Sequence, residues 1–248
     1  MCVLALQFRT ARDAPILVAA NREEYFERSS QVPRIQSGRP RVICGIDRRA
    51  GGTWLGVSQH GLFAAVANRP KANLPAEPRS RGLLCREMLN FDTAVKAAEH
   101  AAAELATDRY AGANFICADA NNAFVIHAGD RLETIELEPG LHMLSNTRLN
   151  DHGDERQEFV RRLLTLQRLD SAVAFLAVAS RTFSRKPDPA GRRGVVVVGG
   201  EYGTVSSTLL SLTKKNHHAV YHFAAGPPSE HGYDDFSALL RQVLSTDK

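Results

Sequence analysis

Strand-forming and helix-forming runs follow one another along this chain in blocks, and that order restricts the fold more than any other feature. Val3-Leu4-Ala5-Leu6 and Ile16-Leu17-Val18-Ala19-Ala20 are short apolar runs separated by Arg12-Asp13-Ala14-Pro15, which predicts a hairpin with both strands buried. A polar, Arg-rich loop is expected over 21–40, then strands at 42–46, 53–58 and 62–67, with Gly51-Gly52 and Gln59-His60-Gly61 as turns. Helices are expected over 80–89, with Ser80 as a cap, and over the Ala-rich 92–106. A second strand block covers 114–118, 124–127, 132–137 and 141–145, and two more helices cover 154–167 and 171–179. Residues 181–194 read as a polar loop. Strands return at 195–198, 204–212 and 217–223 before a last helix at 233–244. This order is that of an α+β chain, satisfied by two sheets packed face to face and covered by helices. No repeat or low-complexity segment appears and no polar stretch divides the chain, so 1–248 reads as one domain.

Composition narrows the function classes. A hydrophobic fraction of 44% and a charged fraction of 23% are those of an ordinary globular protein. The net charge of +4 is spread over scattered basic pairs without interleaved aromatics, which fits a solvated surface and no nucleic-acid partner. No apolar run approaches the ~18 residues of a membrane span, and no basic region precedes the first apolar stretch as in a secretory leader. The four cysteines, Cys2, Cys44, Cys85 and Cys117, are isolated, so we expect reduced thiols, no metal site and a cytoplasmic protein. Nine histidines form no C-x-x-C-H pattern, and His60, His127, His142 and His222 read as turn or strand residues.

Cys2, directly behind Met1, is the residue with the most chemistry in its position. Removal of Met1 would leave a thiol and a free α-amine on one residue. An α-amine titrates near pH ~8, so nucleophile and general base would reside together.

The segment after the second expected strand is Asn21-Arg22-Glu23-Glu24. With Met1-Cys2 and the hairpin it resembles the NRDE family, also called the transport and Golgi organisation protein 2 family. The resemblance continues through Gly51-Gly52-Thr53-Trp54-Leu55-Gly56, Asn68-Arg69-Pro70, Ser80-Arg81-Gly82, Leu144-Ser145-Asn146-Thr147 and Tyr202-Gly203-Thr204. A more distant resemblance is to the N-terminal-cysteine amidases of the penicillin V acylase and bile salt hydrolase type. It implies an N-terminal-nucleophile fold: a four-layer αββα sandwich of two mainly antiparallel sheets. It further implies that Cys2 is the nucleophile, that Arg22 and Glu24 support its charge, and that Asn68 and Asn146 donate to an oxyanion. Asn21, Arg69, Arg81 and Trp54 are then the candidate substrate-binding residues.

The chain departs from these patterns in places. It reads Asn21-Arg22 where the acylases read Arg-Asn, and successive strand residues face opposite ways, so the sequence leaves open which of the two faces Cys2. Many NRDE proteins resemble Gly-Thr-Arg-Ser-Ser-Thr late in the chain, but here Val205 stands in place of that Arg. Glu23 replaces the usual Asp. Two functions follow from the resemblance. One is hydrolysis of an acyl amide with no cofactor required. The other is non-catalytic binding of haem, acyl-coenzyme A or a related lipid, with Arg22, Arg69 and Arg81 meeting its carboxylates or phosphates. The partner is a small acyl molecule or haem in either case, and the oligomeric state is not encoded legibly.

Overall fold

The computed structural model describes residues 3–188 and 194–245. The strands of the first half are β1 (Val3–Phe8), β2 (Ile16–Tyr25), β3 (Ser30–Gln36), β4 (Val42–Asp47), β5 (Leu55–Ser58) and β6 (Phe63–Asn68). Helices α1 (Arg81–Met88) and α2 (Ala94–Leu105) lead into β7 (Ala113–Ala118), β8 (Ala123–Ala128), β9 (Leu132–Glu136) and β10 (Gly140–Leu144). Helices α3 (Glu155–Thr165) and α4 (Ala172–Phe183) precede β11 (Tyr202–Leu212), β12 (Val220–Ala224), β13 (Asp234–Asp235) and α5 (Ser237–Leu244). The class is α+β, as the block order implies.

Two compact units interleave along the chain. One takes in the chain up to Arg28, Pro139–Ser145 and Leu149–Ala238; the other takes in Ser29–Glu138, Asn146–Arg148 and the chain from Leu239. The first unit is built on an antiparallel sheet in the order β10-β1-β2-β11-β12-β13. Val3, Ala5, Leu17, Ala19 and Leu209 point from it into a core shared with Val160 and Leu164 of α3 and Phe175, Ala179 and Phe183 of α4. The second unit is built on an antiparallel sheet in the order β3-β4-β5-β6-β7-β8-β9. Cys44, Ala64, Phe115, Cys117 and Ile126 pack there against Leu84, Cys85 and Met88 of α1 and Ala97 and Ala101 of α2. Each fully buried Leu or Phe in these clusters stabilises the fold by ~1.5–3 kcal/mol before ordering costs.

Helix starts follow side-chain chemistry. Ser80 accepts from the Leu83 N–H as expected, and Thr93, Asp154 and Ser171 cap α2, α3 and α4 in the same way.

Four differences from the expected elements have physical causes. Asn21–Glu24 is strand, because β11 pairs with β2 along its whole length, from Tyr202 opposite Tyr25 to Leu212 opposite Ile16. Ser30–Gln36 is also strand, despite Pro33. β3 is an edge strand whose register shifts between Gln31 and Arg34, where a missing N–H costs nothing. Val195–Val198, apolar enough for a strand, is not one; Val195 and Val196 instead donate their N–H groups to the Arg185 carbonyl. The last helix begins only at Ser237, since Asp234–Asp235 pairs with β12.

Two glycine-bearing motifs that lie far apart in sequence meet in the second unit. Thr53 N–H donates to the Gly82 carbonyl at 2.9 Å, and a Cβ on Gly52 would stand 2.2 Å from the Gly82 carbonyl carbon. Helix α1 therefore docks backbone to backbone, a distance only glycine allows. Gly45 on β4 similarly makes room for the Trp54 ring, which a Cβ there would meet at 2.4 Å. Gly52→Ala should destabilise the protein by about 3 kcal/mol, read from urea unfolding, because the obstacle is backbone that cannot turn aside. A loss below ~1 kcal/mol would show that α1 can slide.

Cys44, Cys85 and Cys117 are all fully buried in the same core. Burial pushes the Cys44 thiol up to about 11 and drives Cys85 and Cys117 well above the usual thiol range. These three should remain unmodified by iodoacetamide at pH ~8 in native protein and react together once denatured. Mapping the labelled peptides by mass spectrometry tests this, and early labelling of any of the three would contradict it.

Candidate functional site

The conserved geometry of a β-strand sorts the Asn21–Glu24 motif into two pairs, since successive side chains leave opposite faces. Asn21 lies opposite Val3 and shares its face with Val3 and Ala5, the helix side of the sheet. Its Nδ2 donates to the Phe183 carbonyl at 3.0 Å, at the end of α4. Glu23 lies on that face too. It accepts a 2.5 Å hydrogen bond from Nη2 of Arg156 in the first turn of α3, and the same guanidinium reaches the Val195 carbonyl. The Glu23 carboxyl is fully buried. Burial pushes its pKa up to about 7, against the pull of Arg156 and Arg22.

Arg22 and Glu24 leave the other face, where β1 presents Leu4 and Leu6. Arg22 is buried, its Nη2 3.8 Å from Glu24 Oε2, and Arg28 Nη1 approaches the same carboxylate at 3.3 Å. Beyond them Tyr25 and Phe26 are half exposed. Tyr25 stands edge-on to Tyr202 at 5.3 Å between ring centres. The alternation thus settles that Asn21 belongs to the helix side and Arg22 to the opposite side. Cys2 lies outside the described residues.

Val205 occupies a bulge. Thr204 pairs with Glu23 and Ser206 with Arg22, leaving Val205 as the extra residue between them. Thr204 Oγ1 accepts from the Val197 N–H, while Ser206 is turned to the Arg22 face and buried. The half-buried Val205 puts no cation on this part of β11.

The second unit holds the other candidates. Asn68 ends β6 opposite Ala113 and is exposed, and Arg69 follows, its N–H on the Gly112 carbonyl. Arg81, the first residue of α1, donates to that same carbonyl at 2.9 Å. Asn146 is half-buried, and the carbonyl of the next residue, Thr147, is held twice: by Arg69 Nη1 at 2.9 Å and by Asn114 Nδ2 at 2.7 Å. Asn114 Oδ1 is in turn 2.7 Å from His127 Nδ1. Trp54 is half-buried against Gly45 and its carbonyl accepts from Val66.

Because Asn114 Nδ2 is spent on Thr147, its Oδ1 must accept, so His127 carries its proton on Nδ1. Burial, reinforced by Arg69 and Arg148 and opposed by Glu133, depresses the His127 pKa to about 4, and the ring is neutral at pH 7.

Asn114, His127, Arg156 and Ser206 were not singled out by sequence as site residues. The first two carried a usable signal: each is polar in an otherwise apolar strand, and the β7–β8 register sets them directly opposite. Arg156 had none, because its partner Glu23 lies 133 residues earlier. Among the described residues no group of three His, Cys, Asp or Glu could hold a metal ion, and no helix is long and apolar enough to cross a membrane.

Glu23 and His127 should give opposite pH dependences. Folding raises the Glu23 pKa, so its contribution is full below its ordinary 4.5 and is lost as pH rises through about 7. Folding lowers the His127 pKa, so its contribution is full above 6.5 and is lost as pH falls through about 4. Relative to the parent protein, Glu23→Gln should therefore gain stability as pH rises from ~5 to ~7. Melting temperatures of both proteins across that range check it; parallel curves would show that Glu23 does not titrate there.

The Transport and Golgi organisation 2 family model matches residues 1–223, and the chain belongs to that family. The Transport and Golgi organization protein 2 homolog of Bos taurus is 30% identical over 252 residues, covering 88% of this chain and 90% of that protein. The human homolog is 29% identical over 222 residues, covering 82% of this chain and 78% of its own length. Among solved structures, the C2A mutant of the conjugated bile acid hydrolase from Clostridium perfringens matches with a TM-score of 0.57 at 12% identity. It covers 96% of this chain and 93% of that one. Penicillin V acylase from Agrobacterium tumefaciens matches at 0.51 and 12% identity, over 97% of this chain and 88% of its own. The Caenorhabditis elegans N-acylethanolamine-hydrolyzing acid amidase ortholog matches at 0.53 and 13% identity, over 85% and 92%. The fold is that of the N-terminal-nucleophile hydrolases.

Proposed function

We propose that this member of the Transport and Golgi organisation 2 family is an N-terminal-cysteine amidohydrolase that cleaves the linear amide of a small acyl-amino compound. The observation that carries the reading is the fold likeness to a hydrolase, an acylase and an acid amidase over at least 85% of the chain, in a sequence with cysteine at position 2. With Met1 removed, the Cys2 thiol passes its proton to its own α-amine and the sulfur attacks the amide carbon. Asn68 and Asn146 donate to the oxygen that gains charge. Collapse breaks the C–N bond, the leaving amine takes the proton from the α-ammonium, and a thioester remains. Water then adds to the thioester, giving a proton to the α-amine, and the carboxylic acid departs as the thiol re-forms. Arg22, buried and paired with Glu24, is the cation that favours the thiolate.

Val205 supports a second reading, a carrier of haem or acyl-coenzyme A, because a cation expected from the family resemblance is missing from this part of β11. In that case Arg22, Arg69 and Arg81 meet acidic groups of the ligand.

Intact mass of protein from cells should first show loss of Met1. N-acyl amino acids should then be hydrolysed, with turnover abolished in Cys2→Ala and lowered by ~10²-fold in Asn146→Ala at little change in KM. Retention of Met1, or stoichiometric haem or acyl-coenzyme A binding with no amide cleaved, would replace the enzyme with the carrier.

A further inference from the structure

In the second unit two side chains converge on one backbone carbonyl and a third holds one of the two in place. Arg69 follows β6, Asn114 is the second residue of β7, and His127 is the fifth of β8; the carbonyl is that of Thr147. Asn114 and His127 are buried, and the cross-strand register sets them opposite each other. An apolar pair would pack these strands at least as well, and a buried polar pair costs stability unless its groups are satisfied. Here the satisfaction is directional. His127 Nδ1–H fixes Asn114 Oδ1, which fixes Asn114 Nδ2 toward Thr147, and Arg69 closes the ring with bonds to both. Arg148, on the far side of Thr147, is tied to Glu133 of β9 at 2.6 Å. The chain immediately after Asn146 is therefore anchored at two successive residues, although 146–148 belongs to no helix or strand.

We propose that His127 and Asn114 are positioning residues: through the Thr147 carbonyl they hold the backbone at Asn146 so that its side-chain amide is set for the oxyanion. This rests on the amidohydrolase reading and adds two residues to it. The charged groups facing His127 are Arg69, Arg148 and Glu133. A proton added to the ring would put a third cation beside two arginines, with one carboxylate to offset them, and the anchor would loosen in acid.

The test is hydrogen–deuterium exchange of the full-length protein, followed in peptides spanning 144–150 and corrected for intrinsic rates. In His127→Leu the amides of 146–148 should exchange about tenfold faster while β7 and β8 stay protected. His127→Asn places an amide N–H where Nδ1–H stood, so it should restore protection at pH 7. It should also abolish the faster exchange that the parent protein shows as pH falls from ~6 to ~4. A purely packing role would not produce rescue together with loss of the acid response. Should His127→Leu fail to fold, the His127→Asn comparison alone decides. Unchanged exchange at 146–148 in His127→Leu, or an acid response that survives in His127→Asn, overturns the proposal. Against N-acyl amino acids, His127→Leu should lose about tenfold in kcat with KM held, and His127→Asn should regain it. Altered exchange in a protein whose parent cleaves no amide would sink the amidohydrolase and leave the anchor standing; unaltered exchange would sink the anchor whatever the turnover.

Discussion

The pairing of β2 with β11 is the constraint on which the first unit depends. It extends β2 well past the apolar run that starts it and supplies backbone partners for four polar residues that would otherwise be loop. Once Asn21 to Glu24 is strand, period-two geometry divides its work. Asn21 and Glu23 tie the sheet to the end of α4, the start of α3 and the Val195 carbonyl, and Arg22 and Glu24 are delivered as an ion pair to the opposite face. One tetrapeptide thus serves both interior cohesion and candidate chemistry. Neither role could be moved by one residue without exchanging with the other.

The second unit handles buried polarity differently. Its helix side is filled by small and apolar groups, Ala and Cys prominent among them, and helix α1 approaches so closely that glycines meet. Polar side chains are admitted where β6, β7 and β8 meet the 146–148 segment, and there they form a closed hydrogen-bonded set. A set in which each donor specifies the next acceptor fixes a unique arrangement of an irregular segment, which apolar contact does less well.

Much of this was legible in the sequence. Alternating blocks gave the α+β class, apolar runs located most strands, and Ser80 announced its helix. The failures share a cause. β2 beyond Ala20, and β3 with Pro33, are strands because a neighbour pairs with them, and nothing local reports the neighbour. Val195–Val198 is the converse, β-branched residues with no strand to join. At the candidate site, the sequence motifs drew attention to Arg22, Glu24, Asn68 and Asn146. Asn114 and Arg156 went unremarked and His127 was read only as a turn or strand residue, since a supporting residue is defined by a contact and has no motif of its own. The order Asn21-Arg22 left two orientations open, and only the register with Val3 chose between them.

The bulge at Val205 makes the length of β11 matter separately from its composition. Exchanging the side chain at 205 changes what one half-buried position offers. Removing the residue would instead close the bulge: Thr204 would still lie opposite Glu23 and Ser206 opposite Arg22, and Leu209 would keep its place in the core it shares with Phe175 and Phe183. What would be lost is the local bend and added twist that an extra residue gives its strand. The ladder with β2 therefore sets which face each side chain of β11 takes, and the bulge is the point where a residue can leave without disturbing that order.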